Sequence, residues 1–184
     1  GYTQPTVGLL HTSEEAFPSY TLFSNNEETY LIDNCGLIVN QWHSEYRPGR
    51  ALFLLENGDL LRTAEQDGAF QISGRGGRFE RFNWEGELLW SYELNDADRQ
   101  AHHDICPLPN GNFLTLVWEK RCAEQAHLQG SDRSMEVWAE AVYEIKMLPD
   151  NQAEIVWQWQ LWDHLVQDHD PDAENHAVIA ASPQ

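Results

Sequence analysis

The sequence predicts an all-β chain that forms part of a β-propeller, on three grounds: a repeated strand phrase, its turn chemistry and its tryptophans. The first copy of the phrase runs from Tyr30 to Trp42 around Gly36 and continues from Ala51 to Thr63 around Gly58. The second runs from Phe79 to Tyr92 around Gly86 and continues from His103 to Thr115 around Gly111. Gly36 to Gly86 is 50 residues and Gly58 to Gly111 is 53, the length of a four-stranded blade. A third copy opens at Val142–Ile145 and runs through Glu154–Trp159.

Each copy reads as two hairpins, because Asn-Gly and similar pairs separate short runs of aliphatic, β-branched and aromatic residues. Four such strands make a small sheet with two apolar faces, which must stack on copies of itself. Within one domain, 1–184, the units fall at 29–75, 76–125 and 140–184. That is about three to three and a half blades, whereas closed propellers need at least about four. The expectation is a partial propeller completed by further blades or by a partner chain; an ordinary small domain is the alternative. Cys122 to Glu136 reads as a polar insertion before the third unit, of the kind that shapes a ligand entrance.

Four of the eight tryptophans, Trp42, Trp90, Trp157 and Trp159, occupy strand positions. There an indole fills the wedge between blades and buries on the order of 200 Å². Trp118 and Trp162 lie beside polar clusters and are candidates for a substrate-binding wall that stacks a flat ligand.

With 30 acidic against 11 basic residues the formal charge is −19, which excludes the clustered cations that nucleic acid requires. Lys120 and Lys146 are the only lysines, and such an acidic surface suits a salty medium. No apolar run approaches the roughly 20 residues that span a bilayer, and no basic amphipathic helix addresses a membrane surface. The chain starts at Gly1 without a charged, apolar leader, as after removal of an export signal, although an artificial start fits equally. Three cysteines, Cys35, Cys106 and Cys122, allow one disulfide, conceivably Cys106 with Cys122, or three unpaired thiols. The absence of Cys-x-x-Cys excludes zinc-ribbon and c-type haem motifs.

The candidate chemistry lies with histidine. His102-His103-Asp104 precedes the second hairpin of unit two, and Trp162-Asp163-His164 follows the Trp157–Trp159 strand of unit three. Equivalent positions of successive blades converge on the axis, so His103 and His164 are expected to face one another across a channel mouth. An imidazole titrating near about 6.5 serves as nucleophile, general acid or anchor for an oxyanion. The alternative is a surface histidine or a hydrogen-bonded core one.

Three phrases, Gly77–Tyr92, His102–Asn112 and Glu154–Asp168, in order, resemble the bacterial arylsulfotransferases that work without a nucleotide sulfate donor. The similarity extends from about Val7 to Ile179. The resemblance implies a six-bladed propeller, periplasmic or secreted, that moves a sulfuryl group from a phenolic sulfate donor to a phenol acceptor through a sulfated histidine. It implies catalytic, sulfate-contacting roles for His103 and His164 only; His102, Trp118 and Trp162 are substrate-binding candidates from the residues themselves. The family's nucleophilic histidine and its arginine have no match up to Gln184 and would come from the remaining blades or a partner chain, with a homo-oligomer as one form of assembly. A noncatalytic secreted propeller module that binds a protein or glycan is the competing expectation.

Two weaker motifs remain. Ser73–Gly77 has the glycines of a phosphate-cradling loop but leads into a strand without the Lys-Ser/Thr pair, and reads as a blade-connecting loop. No cofactor is expected, apart from calcium at Asp168, Asp170 and Asp172, which lack the glycine and distal glutamate of an EF-hand and read otherwise as a solvated acidic loop.

Overall fold

Four hairpins share one turn. At Asp33–Gly36, Leu55–Gly58, Asn83–Gly86 and Leu108–Gly111, the glycine N–H donates to the carbonyl of the residue that opens the turn, at 2.9–3.1 Å. The opening N–H in turn donates to the carbonyl just beyond the glycine. Glycine takes φ between 74° and 89° at all four, the left-handed position that closes a type I turn on a bulge. Side chains reinforce the loop: Asn57 Oδ1 accepts from the Asp59 N–H and Asn110 Oδ1 from the Asn112 N–H.

The computed structural model describes residues 11, 13–67, 74, 76–131, 135–168 and 170–179. Its strands are β1 (Thr21–Asn25), β2 (Glu28–Ile32), β3 (Ile38–His43), β4 (Pro48–Leu54), β5 (Leu60–Glu65), β6 (Gly77–Phe82), β7 (Leu88–Glu93), β8 (Arg99–Pro107), β9 (Phe113–Arg121), β10 (Val137–Leu148) and β11 (Gln152–Gln160). They form three antiparallel meanders in chain order: β1-β2-β3, β4-β5-β6-β7 and β8-β9-β10-β11. The first strands lie side by side, β1 against β4 and β4 against β8, as blades do where they converge on an axis. This is the all-β, partial-propeller architecture that the repeat predicts.

The repeat's period survives, but its phase differs. The unit drawn at 29–75 takes two strands from one sheet and two from the next, and that at 76–125 does the same. The polar insertion does not precede the third sheet but lies within it. It carries the short helix α1 (Ala123–Leu128) and joins β9 to β10 inside the third sheet. Likewise the loop around Gly74 joins β5 to β6 within one sheet rather than connecting blades; Ser73 and Arg75 lie outside the described residues.

Between sheets one and two the core holds Leu31, Trp42, Leu60 and Phe82; between two and three it holds Leu61, Phe79, Trp90, Phe113, Val117 and Tyr143 with their neighbours. Trp42 and Trp90 play one part at both seams. Each lies on the last strand of its sheet and donates its indole N–H to a hairpin-turn carbonyl of the next sheet, Asn83 at 2.8 Å and Gln152 at 2.9 Å. Trp157 and Trp159 do not fill such a wedge: on the last strand of the third sheet they are 47% and 38% exposed. No further sheet among the described residues covers them. A buried ionic knot ties the β3–β4 connection to the second sheet, where Glu80 accepts from Ser44 at 2.7 Å and Arg78 at 2.9 Å, with Arg62 at 3.7 Å. All three cysteines are free and exposed, so the Cys106–Cys122 pairing is not formed. Among the described residues no helix is long and apolar enough to cross a membrane.

Candidate active site

Strand β8 breaks its register at the histidines. His102 pairs with Leu116 and Ile105 with Thr115, so His103 and Asp104 are two extra residues bulged out of the innermost strand. His103 takes φ 52°, a left-handed conformation that is uncommon outside glycine and gathers at functional sites when the surroundings enforce it. Its N–H donates to the Gly74 carbonyl at 2.9 Å, and its ring lies over Gly74. A Cβ on Gly74 would stand 2.1 Å from His103 Cε1 and 2.2 Å from Nε2, so only glycine admits the imidazole there. His103 is exposed, in the position expected of a group that meets a substrate.

His102 is buried beneath it. Its ring stacks on Trp118 with centroids 3.9 Å apart and planes within 11°. His102 Nδ1 stands 2.9 Å from His103 Nδ1, and His102 Nε2 stands 2.9 Å from Glu140 Oε2. The other oxygen of Glu140 accepts from the Trp118 indole N–H at 2.8 Å. Gln100, Trp118 and Glu140 are direct cross-strand neighbours and therefore share one face of the sheet. Burial pushes the His102 imidazole below the ordinary histidine range, and the attraction of Glu140 only partly offsets it. His102 is thus a neutral ring at neutral pH. Gln100 is wholly buried, and neither its amide oxygen nor its nitrogen has a hydrogen-bond partner among the described residues.

The fold brings together His102, His103 and Trp118 of the sequence-derived candidates. Trp118 is mostly buried and one ring face is taken by His102, so it serves as a support for that imidazole rather than as an open ligand wall. His164 and Trp162 lie elsewhere. They sit on the 3-10 turn Leu161–His164 that follows β11, at the opposite edge of the sheet from β8, so His103 and His164 do not occupy equivalent places. His164 stacks on Trp159 at 5.0 Å, and Trp162 is half-buried with the Arg121 guanidinium 5.5 Å above its ring. His164 lines an open cavity of about 1020 Å³ with His127, Asp163, Asp170, Asp172 and Asn175, to which none of the His103 cluster contributes.

Glu140 escaped the sequence reading. It is 38 residues from His102, and its one local sign is a lone charge between alanines in an otherwise apolar run. At the acidic loop Asp170 Oδ1 accepts from the Asp172 N–H, and among the described residues no group of three His, Cys, Asp or Glu side chains is placed to hold a metal.

The arylsulfotransferase (ASST) family model matches residues 8–181 of the chain. The chain belongs to the arylsulfotransferase family. The match takes in all three sheets and the His102–His103 bulge, so the cluster lies on the arylsulfotransferase domain itself. No curated protein matches the chain.

Proposed function

We propose that this chain carries part of the site of an aryl-sulfate sulfotransferase, in which His103 stands beside the transferring sulfuryl group. In the first half-reaction a histidine nitrogen attacks sulfur while the S–O bond to the donor phenol breaks, and the donor leaves as phenolate. In the second, the acceptor phenol's oxygen attacks sulfur, the S–N bond breaks, and the acceptor's proton ends on the departed phenolate. As in phosphoryl transfer, positioned donors and cations stabilise charge on the peripheral oxygens. The nucleophilic histidine and an arginine come from further blades or a partner chain. Location in the periplasm or outside the cell belongs to this proposal.

The observation that carries it is the exposed His103, held at φ 52° in a bulge of the innermost strand and backed by His102, Glu140 and Trp118. Family membership supports the chemistry. His164 follows the strand at the far edge of the sheet, apart from the His103 cluster. That displacement is what favours the competing reading, a binding module with no transferase activity.

Transfer from 4-nitrophenyl sulfate to phenol without a nucleotide donor, measured with an intact mass of the same sample, separates the two. Activity that disappears in His103→Ala supports the transferase. Inactivity of a preparation whose mass shows a complete propeller supports the binding module.

A further inference from the structure

The three contacts around His102 accept only one arrangement of protons. A neutral imidazole has one N–H and one lone pair, and the hydrogen bond at one nitrogen decides the state of the other. Glu140 accepts the Trp118 N–H on one oxygen and faces His102 Nε2 with the other at 2.9 Å. A carboxylate only accepts, so His102 carries its proton on Nε2 and presents a lone pair at Nδ1. That lone pair faces His103 Nδ1 at 2.9 Å, which must therefore bear hydrogen. The remaining nitrogen of a neutral His103, Nε2, is left with its electron pair, and His103 is the exposed member of the cluster.

We propose that Glu140, acting through His102, holds His103 as the Nδ1–H tautomer, so that His103 Nε2 is a proton acceptor in the site. This rests on the sulfotransferase reading for its chemistry: Nε2 takes the acceptor phenol's proton as the phenol oxygen attacks sulfur, rather than donating to a sulfate oxygen. His103 becomes an imidazolium, whose Nδ1–H points down the chain to His102 and Glu140, and it then gives the proton to solvent, from which the already departed donor phenolate takes it up. Glu140 and His102 are positioning residues; His103 is the catalytic one.

The substitution Glu140→Gln sharpens the test. The Trp118 indole N–H can only donate, so the new amide must turn its oxygen to Trp118 and its NH2 to His102 Nε2. His102 then becomes the Nδ1–H form, and His103 is forced to Nε2–H. Adding Trp118→Phe removes that constraint and frees the amide to turn back.

Long-range ¹H–¹⁵N spectra at about pH 8, above the ordinary histidine range, read the tautomers directly. His103 is assigned by the signals lost in His103→Asn. The expected results are Nδ1–H at His103 in the unaltered chain, Nε2–H in Glu140→Gln, and partial return in the double variant. An Nε2–H tautomer in the unaltered chain overturns the proposal without any variant, as does an unchanged tautomer in folded Glu140→Gln. With the active protein, Glu140→Gln should lower transfer to phenol by roughly 10²-fold or more, the scale of general base catalysis, and spare pentafluorophenol, which is already ionised. Equal loss with both acceptors overturns the base role of His103. If the tautomers behave as expected and a complete propeller transfers no sulfate, the relay stands and the sulfotransferase reading falls.

Discussion

Gly74→Ala puts a methyl group where the His103 ring lies. The new Cβ would stand 2.1 Å from Cε1, 2.2 Å from Nε2 and 2.7 Å from Nδ1, against the 3.4 Å at which ordinary contact begins. The ring must retreat over that difference, which breaks the 2.9 Å contact between the two Nδ1 atoms. Displacement of a reacting group by about 1 Å costs roughly 10²-fold in rate. Separately, alanine at φ +90° carries backbone strain of about 1–3 kcal/mol, or roughly 2–4 °C of melting temperature for each kcal/mol in a chain of this size. Gly86→Ala separates the two effects, because Gly86 has φ +88° and nothing within 4 Å of its Cβ position. Both variants should therefore carry the backbone cost, while only Gly74→Ala adds the cost of the displaced ring, loses transfer from 4-nitrophenyl sulfate to phenol and shifts the His103 nitrogen resonances. Wild-type rates and unmoved His103 signals in folded Gly74→Ala would refute the ring placement.

Other expected outcomes concern the seams and the buried charges. Trp42 is 1% exposed at a seam whereas Trp157 is 47% exposed, so Trp42→Ala should cost about 3–5 kcal/mol in urea unfolding and Trp157→Ala within about 0.5 kcal/mol. A similar cost for both would contradict the assignment of the open face. Glu80→Ala strips the counter-charge from Arg62, itself 1% exposed, and should cost about 3–5 kcal/mol, with equal loss absent for Glu93→Ala at the solvent end of Arg78. Since folding lowers the affinity of His102 for its proton, the unfolded chain binds more protons as pH falls through about 6.5. Stability from this group is complete above that pH and is lost below it; unfolding of His102→Asn across that range should show a flatter fall, and an identical slope would remove His102 as the cause.

Much of the architecture was legible because it is written in local chemistry. A glycine that must take a left-handed φ, with an asparagine or aspartate capping the same loop, marks a hairpin wherever it occurs, and its spacing reports the blade length. The phase was not legible. A run of similar hairpins can be cut into four-stranded sheets in two ways, and the choice depends on which strands converge, as β4 and β8 do. That one shift explains the misplaced partner of His103: by spacing His164 is its counterpart in the next blade, yet it follows the outermost strand of the same sheet. The paired histidines announced themselves in the sequence, while Glu140 became visible only when β9 and β10 brought Trp118 and Glu140 onto one rung.

The sequence by itself determined an all-β repeat of blade length, its glycine turns, the Trp42 and Trp90 wedges and the two histidines at one strand. These follow from backbone sterics, hydrophobic burial and pattern, which act over a few residues or recur at a fixed period. Only the tertiary structure decided that His103 is exposed on the innermost strand, that His102 is neutral, stacked on Trp118 and hydrogen-bonded to Glu140, and that His164 lies apart. Such facts depend on strand pairing across 38 residues and on the desolvation that packing imposes. Neither is a property of any short stretch of chain.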